Sequence, residues 1–161
     1  MTWCRVSIRR EMMTGITRLG TKDREEIDRI ENICFPEYDS KEETWMDLLE
    51  EERTFAFAIK EKTFIKAYIS IYNWKGEHDY IKIMSICTHP DHRNKGYGKK
   101  LMQYVIDEML KDDMHVFKGE TRASNTNMQK MFTDFGYGLV ESVEGYYDQP
   151  DETAYKYVLE I

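Results

Sequence analysis

The sequence predicts a mixed α/β fold in which about four helices flank a central, partly parallel sheet. Two helix-like segments come first, three β-rich runs follow, and strands then alternate with helices up to a final pair of strands. A helix between two strands allows them to lie parallel, whereas short links require antiparallel neighbours. With 161 residues the chain has the length of one domain. We place this domain at residues 15–161, after an N-terminal extension at residues 1–14.

The first half of the domain is expected to hold a short strand, two helices and a meander of three strands. The strand covers Gly15–Gly20. A helix follows over about Lys22–Cys34, because its apolar residues fall on one helical face and Pro36 ends it. Ser40–Glu43 has the capping-box pattern that opens a second helix. Period-two runs then predict strands at Phe55–Ile59, Phe64–Tyr72 and Asp79–Thr88, the first two joined as a hairpin.

In the second half, the pattern alternates between strand and helix. The segment after Gly98 places five large apolar residues on one helical face, which predicts a buried amphipathic helix. A strand at Met114–Thr121, a helix at Asn125–Phe135 and strands near Tyr137–Ser142 and Ala154–Glu160 complete the domain.

Charge and composition narrow the classes of partner. The 23 Lys and Arg residues face 30 Asp and Glu residues, a formal net charge of −7. Nucleic-acid-binding domains usually carry the opposite charge, so we expect no nucleic-acid partner and favour a cationic one, such as an amine or a basic peptide. No run approaches the ~18 apolar residues of a membrane span, so we expect no membrane partner.

The cysteines and the N-terminus indicate the compartment. The N-terminal residues lack the apolar run of a signal peptide. The three cysteines Cys4, Cys34 and Cys87 have no Cys-x-x-Cys spacing, which favours a reducing, cytoplasmic location. Cys34 and Cys87 are expected to be small buried hydrophobes.

The loop before the buried helix carries the most informative pattern. A strand ends at His89-Pro90, Gly96 and Gly98 follow, and the helix begins near Lys99. The first amides of a helix have no partner within it and lie at the positive end of its dipole, and glycines let a phosphate approach the backbone. Residues 89–100 also hold four Lys or Arg side chains against one Asp. This combination predicts a site for a polyanionic cofactor.

Two common phosphate motifs do not fit this loop. The third glycine of the dinucleotide fingerprint would be Leu101, and Lys100 stands where a nucleotide-hydrolase loop needs Ser or Thr for magnesium. His89 and His92 have no third metal ligand at a matching spacing, so we expect no metal.

The pattern Arg93-x-x-Gly96-x-Gly98 after such a strand resembles the acetyl-coenzyme A signature of the GNAT N-acetyltransferase superfamily. Downstream, Gly119–Asn125 and Met131–Tyr137 are similar to that family's next strand and helix. The likeness runs from Ile16 to Ile161 and implies a GNAT-like sheet. Three segments are closest to the branch that acetylates ribosomal and other protein N-termini: Ile33–Pro36, Arg122–Asn125 and Gly145–Tyr147.

The resemblance implies acetyl-coenzyme A (acetyl-CoA) as the cofactor. Backbone groups of Ile86 and Thr88 would pair with its pantetheine arm. The amide of Cys87, or of a neighbour, would face the thioester oxygen, where a fixed N–H can be worth ~3–4 kcal/mol in the transition state. Backbone amides would cradle the pyrophosphate, and the Asn125 side chain would hydrogen-bond the cofactor. The predicted pyrophosphate loop comprises Arg93, Asn94, Lys95, Gly96, Tyr97, Gly98 and Lys99.

For catalysis, the resemblance implies Glu120 as the general base. The branch usually has a tyrosine as general acid after Asn125, but the aligned residue beside the cofactor is Phe132, which has no proton to give. Either the loss of the tyrosine slows turnover without stopping it, or Tyr137, Tyr146 or Tyr147 supplies the proton. We favour Tyr147, whose alternative role is to line the acceptor site. Covalent catalysis by Cys87 is not favoured, because direct attack by an amine needs no acyl-enzyme.

The acceptor is expected to be a primary amine, first of all a protein or peptide N-terminus. Glu37 and Tyr146 are predicted to contact it, and Asp148, Asp151 and Glu152 lie in a loop expected to border its groove. Two alternatives stay open. One is an acetyltransferase for small amines, such as polyamines, aminoglycoside-like amines or amino acids. The other is a non-catalytic acyl-CoA sensor, which the loss of the tyrosine at position 132 suggests. The protein is expected to be a monomer or a homodimer.

Overall fold

The computed structural model describes residues 15–36 and 50–161. Within this part of the chain there are seven strands and three α-helices, and two short 3-10 turns lie at Thr21–Asp23 and Pro90–His92. The helices are α1 (Arg24–Cys34), α2 (Tyr97–Lys111) and α3 (Thr126–Asp134). The strands are β1 (Ile16–Arg18), β2 (Thr54–Glu61), β3 (Phe64–Asn73), β4 (Ile81–Thr88), β5 (Val116–Arg122), β6 (Gly138–Tyr147) and β7 (Glu152–Glu160).

These strands form one mixed sheet in the order β1-β2-β3-β4-β5-β7-β6. Strand β5 pairs in parallel with β4, aligning Ile81 with Phe117, because helix α2 carries the chain back between the two strands. On its other side β5 pairs antiparallel with β7, and β7 pairs antiparallel with β6. The mixed, partly parallel α/β sheet predicted from the sequence is therefore confirmed.

The predicted elements recur with shifted ends. The first strand is shorter than expected, and a 3-10 turn precedes α1 where a continuous helix was predicted. Strand β6 extends through Gly145 to Tyr147, because pairing with β7 continues beyond two register shifts. The helix expected to open at Ser40–Glu43 lies outside the described residues, so the described part has three helices where about four were expected.

Two compact units divide the chain, and strands β3 and β4 and helix α2 contribute residues to both. The first unit contains the described residues up to Ser70 together with Ser85–Gln103. Its core joins the inner face of α1 to the strands. The buried core residues are Leu19, Ile27, Ile30, Ala56, Ala58, Ile65, Tyr68 and Cys87. Burial of each of the larger apolar side chains contributes roughly 1.5–3 kcal/mol to the stability of the fold.

One acidic group lies inside this core. Glu31, on α1, is 6% exposed, and its Oε1 accepts hydrogen bonds from the Tyr68 hydroxyl and from Ser85 Oγ, the latter at 2.7 Å. Burial raises the pKa of Glu31 to about 7, since a charged carboxylate is poorly solvated there, and the Ser85 bond only partly opposes this. The sequence pattern did not indicate this carboxyl, because position 31 lies on the buried face where an apolar residue is the usual choice.

The second unit contains Ile71–Met84 and Tyr104–Ile161. Its core is more aromatic, with Phe117, Phe132 and Tyr137 buried. The Phe132 ring stacks on Tyr157 with centroids 4.8 Å apart and packs obliquely against Tyr137 at 4.9 Å. Across residues 15–36 and 50–161, every helix is too short or too polar to cross a membrane.

Candidate active site

The basic loop forms an exposed turn that leads into α2. Asn94 and Gly96 adopt the left-handed conformation, with φ of 63° and 76°, and the helix begins at Tyr97, two residues earlier than predicted. The backbone N–H groups of Tyr97 and Gly98 occupy first-turn positions that have no partner within the helix. A Cβ built on Gly96 would meet no atom within 4 Å, so the space beside the turn is open. The turn can therefore receive a bulky anion at its backbone.

Strand β4 leads into this turn, and its last residues are held by side chains of the first unit. The Thr88 carbonyl accepts hydrogen bonds from Arg93 Nε at 3.1 Å and from Cys34 Sγ at 3.3 Å. Cys87 is buried, and Ile86 is partly buried. Arg93 thus anchors the turn to the strand, which is a structural contact additional to its predicted role in cofactor binding.

In the second unit, Glu120 lies at the centre of a polar cluster. Its Oε2 accepts a hydrogen bond from Lys82 Nζ at 2.9 Å, and its Oε1 accepts one from the Tyr146 hydroxyl at 2.6 Å. Lys156 stands opposite Glu120 on β7, and its Nζ lies 4.9 Å from the centre of the Tyr146 ring. The Glu120 side chain is 19% exposed. The two hydrogen bonds fix the orientation of this carboxylate, and its exposed part can exchange protons with a ligand.

These neighbours decide the ionisation of Glu120. Burial by itself raises the pKa of the carboxyl, but the hydrogen bonds from Tyr146 and Lys82 and the two lysine charges outweigh it and hold that pKa below its usual range. The same hydrogen bond to Glu120 is the main reason why the pKa of Tyr146 is raised to about 12. Glu120 is therefore the ionised partner and Tyr146 the proton donor.

The two adjacent tyrosines differ in their contacts. Tyr147 meets Tyr146 edge to face at 5.1 Å, and the Arg122 guanidinium lies 4.3 Å from the Tyr147 ring centre. Burial, followed by the charge of Glu120, raises the pKa of Tyr147 to about 12. The hydrogen bond to Glu120 comes from Tyr146, which the sequence had assigned to acceptor binding, and the catalytic role predicted for Tyr147 stays a prediction.

Phe132 is a core residue. It is 1% exposed, and the tip of its ring points at Gly119, where an added Cβ would lie 2.4 Å from Cζ. Gly119 is needed here because any side chain would collide with this ring. Phe132 therefore packs against Gly119, the β5 residue that precedes Glu120. Its contact with the cofactor stays a prediction.

The remaining predicted site residues have structural partners or lie outside the described part. Asn125 caps α3, its Oδ1 accepting the Met128 N–H at 3.1 Å. Glu152 accepts the Ser124 N–H at 2.6 Å and pairs with Arg122 at 3.3 Å, so it fixes the β5–α3 link. Glu37 lies outside the described residues.

The predicted site residues that lie close together form two groups, one in each unit. Glu120, Tyr146 and Tyr147 are neighbours within the second unit, and Cys87, Thr88 and Arg93 are neighbours within the first. Sequence reasoning missed Lys82. The signal in the sequence was a single charged residue, Lys82, between apolar residues of β4. Its partner Glu120 on β5 follows only from the order of the strands, which the sequence does not provide.

Three comparisons describe what this chain is similar to. An N-acetyltransferase of ribosomal protein bS18 alanine from Haemophilus ducreyi is 27% identical over 73 residues, 45% of this chain and 50% of that protein. The crystal structure of the ribosomal-protein-S18-alanine N-acetyltransferase from Escherichia coli superposes with a TM-score of 0.81 at 24% identity, covering 91% of this chain and 92% of that one. Arabidopsis thaliana NAA60 in complex with acetyl-CoA gives a TM-score of 0.78 at 14% identity, covering 91% and 97%.

The structural likenesses establish the fold, and the chain spans half or less of the length of the curated relatives it matches. The family assignment rests on a broader match. The model of the acetyltransferase (GNAT) family matches residues 24–137, which is most of the domain and includes the basic turn, Glu120 and Phe132. The chain therefore belongs to the acetyltransferase (GNAT) family.

Proposed function

We propose that the chain is an acetyl-CoA-dependent N-acetyltransferase that acetylates the α-amine of a protein or peptide by direct attack in a ternary complex. The observation that carries this proposal is the ionised, largely buried Glu120, held between Lys82 and Tyr146 in a GNAT-family chain. Such a carboxylate is a fixed proton acceptor with a proton donor beside it, which is what amine acylation requires.

The residues of the basic turn fit the anionic end of acetyl-CoA. The turn has an open face at Gly96, first-turn amides at Tyr97 and Gly98, and exposed Lys95 and Lys99 beside them. Acetyl-CoA would supply the acetyl group as a thioester. The backbone N–H groups of the turn would bind the pyrophosphate, and the lysines would attract it over longer range.

The low pKa of Glu120 favours an acceptor that loses its proton easily. At pH 7 an α-amine with a pKa of ~7.7–8.0 costs about 1 kcal/mol to deprotonate, whereas a lysine side chain at ~10.4 costs about 4.6 kcal/mol. Because Lys82 and Tyr146 stabilise its charged form, Glu120 is a weak base. It therefore suits an N-terminal amine better than a lysine side chain.

A proton is also needed for the departing thiolate, and Phe132 has none to give. The Tyr146 hydroxyl donates a hydrogen bond to Glu120. Tyr146 can therefore give its own proton to the thiolate and take up the proton that Glu120 has removed from the amine. Tyr147, the residue favoured by the sequence, remains the second candidate, and the variants Tyr146→Phe and Tyr147→Phe separate them.

The names of the relatives support a peptide acceptor. The matched curated proteins from Haemophilus ducreyi and Escherichia coli are named for N-acetylation of an alanine of ribosomal protein bS18, and the chain's formal net charge of −7 suits a cationic acceptor. A small-amine acceptor is the second candidate. The cytoplasmic location and a monomeric or homodimeric state stay predictions.

The acceptor is tested with two peptides of one sequence beginning with alanine. In the first peptide the N-terminus is free and the side chain of the single lysine is blocked. In the second peptide the N-terminus is blocked and the lysine side chain is free. Each is incubated with the purified chain and acetyl-CoA beside a panel of small amines, and products are read by mass spectrometry. We expect acetylation of the free N-terminus. Acetylation of small amines alone would contradict the peptide proposal.

The role of Glu120 is tested by Glu120→Gln, with Glu61→Gln as the matched control because the Glu61 side chain is 71% exposed at the end of β2. We expect kcat/KM to fall at least 100-fold for the first variant, in line with general-base catalysis, and to be unchanged for the second. Tight cofactor binding without thiol release for any amine in the wild-type chain would instead support the acyl-CoA sensor.

A further inference from the structure

Two thiols that are far apart in the sequence meet in the first unit. Cys34 is the last residue of α1, and Cys87 lies in β4. Cys34 packs against the core cluster that contains Cys87, the two thiols are hydrogen-bonded to each other, and Cys34 Sγ also donates to the Thr88 carbonyl at 3.3 Å. Both side chains are free thiols. The sequence had assigned each of them to simple core filling.

The two thiols have different surroundings. Cys34 is partly exposed at the end of the helix, whereas Cys87 is 7% exposed within the core. The guanidinium of Arg93 is bonded to the Thr88 carbonyl and to the Cys34 side chain, so a positive charge faces the more accessible sulfur. Among residues 15–36 and 50–161, the other charged group that acts on Cys34 is the carboxyl of Glu31, which opposes thiolate formation.

These contacts divide the roles of nucleophile and proton donor. The hydrogen bond from Cys87 is the largest cause that lowers the pKa of Cys34 to about 7, burial opposes it, and Arg93 lowers it further. Burial raises the pKa of Cys87 well above its ordinary value. Cys34 is therefore the thiol that ionises more readily, while Cys87 stays protonated.

We propose that Cys34 and Cys87 form a peroxide-reactive dithiol site, in which Cys34 attacks a hydroperoxide and Cys87 resolves the product as a disulfide. The accessible, ionisable sulfur beside a cation and the protected second thiol are the features of oxidant-sensitive cysteine pairs. The site takes hydrogen peroxide or a small alkyl hydroperoxide.

The chemistry balances in two steps. The Cys34 thiolate attacks the terminal oxygen of the hydroperoxide, the O–O bond breaks, and the departing alkoxide takes a proton to become an alcohol, or water from hydrogen peroxide. Cys34 is then a sulfenic acid. The Cys87 sulfur attacks the Cys34 sulfur, the S–O bond breaks, and hydroxide leaves as water with the Cys87 proton. Two thiols lose two electrons, and the peroxide gains them.

The site reaches the proposed acetyltransferase through β4. Cys87 and Thr88 belong to the segment predicted to hold the thioester, so a disulfide would fix the end of α1 to that segment and weaken acetyl-CoA binding. This consequence rests on the proposed function, but disulfide formation does not. The two are measured separately, by peptide mapping and by calorimetry.

The test uses the full chain with Cys4→Ser, so that only Cys34 and Cys87 remain. One equivalent of hydrogen peroxide is added near pH 7, and the protein is digested under non-reducing conditions for mass spectrometry. We expect one disulfide-linked pair of peptides containing Cys34 and Cys87, reversed by dithiothreitol. Circular dichroism and cooperative urea unfolding before oxidation confirm that the variant is folded.

Single variants identify the attacking thiol. With Cys87→Ser, we expect dimedone to trap a sulfenic acid on Cys34, and with Cys34→Ser we expect peroxide consumption to fall at least 10-fold. In the two-thiol chain, iodoacetamide should label Cys34 at least 10-fold faster than Cys87, with a rate midpoint near pH 7. Preferential oxidation of Cys87, or disulfide formation only in denaturant, would overturn the proposal.

Discussion

Replacing Glu31 by glutamine should change how the stability of the protein depends on pH. In the folded chain this carboxyl accepts hydrogen bonds from Tyr68 and Ser85 at a single oxygen, Oε1. A glutamine amide oxygen can take that position and keep both donors satisfied. The substitution therefore removes the titration of the buried group while it leaves the neighbouring hydrogen bonds in place.

The size of the effect follows from the raised pKa. The folded-state pKa of Glu31 is about 7, against 4.5 for a solvent-exposed glutamate, so the unfolded chain releases this proton first as pH rises. Stability from the protonated carboxyl is complete below pH 4.5 and is lost as pH rises through about 7. At 1.36 kcal/mol per pH unit of difference, wild-type unfolding free energy should fall by about 2–3 kcal/mol relative to Glu31→Gln between pH 5 and pH 8.5.

The measurement is urea unfolding of wild type and Glu31→Gln, followed by circular dichroism at half-unit steps from pH 5 to pH 8.5. Subtracting the two curves removes the contributions of the groups that do not interact with Glu31. Glu61→Gln is the matched control, because it makes the same substitution at a side chain that is 71% exposed, and its unfolding free energy should stay within about 1 kcal/mol of wild type. Parallel curves for wild type and Glu31→Gln would refute the reasoning.

Three further outcomes are expected. Gly119→Ala should lower the unfolding free energy by about 1–3 kcal/mol, since the added Cβ would lie 2.4 Å from Phe132 Cζ. In a double-mutant cycle, adding Phe132→Leu should recover about 1 kcal/mol or more of that loss. Losses that simply add would contradict the contact between the two residues. Tyr146→Phe should raise the pKa of Glu120, because a hydrogen bond that favours the charged carboxylate is lost. Activity requires the charged form, so the acid limb of the pH–activity profile should move to higher pH. An unmoved limb would exclude coupling between Tyr146 and Glu120. Lys82→Met should move that limb in the same direction in the kcat/KM profile, whereas a profile equal to wild type would mean that Lys82 does not act on Glu120.

The sequence predicted the fold well because its signals are local. Period-two runs and apolar helical faces were sufficient to locate β2, β3 and α2, and a helix between β4 and β5 was sufficient to predict a parallel pair. The glycines and lysines of the turn are also local, so the sequence alone predicts a basic turn before α2.

The contacts that decide reactivity were not predictable in the same way. Lys82 and Tyr146 reach Glu120 from strands that precede and follow β5, and Cys34 meets Cys87 from another element altogether. Each of these pairings depends on strand order, register or helix packing, which a single sequence does not specify. The hydrogen bond from Tyr146 to Glu120 depends in the same way on β6, whose pairing with β7 shifts register between Val143 and Tyr147.

The most direct test of the account is titration calorimetry of acetyl-CoA into the folded chain. The account predicts saturable binding at one site per chain, weakened about 10-fold or more in Lys95→Gln/Lys99→Gln and unchanged in Lys130→Gln, which replaces a lysine whose side chain is 71% exposed on α3. Absence of binding heat, with the protein shown to be folded, or equal affinity in the turn variant and wild type, would contradict the claim that this turn holds the cofactor.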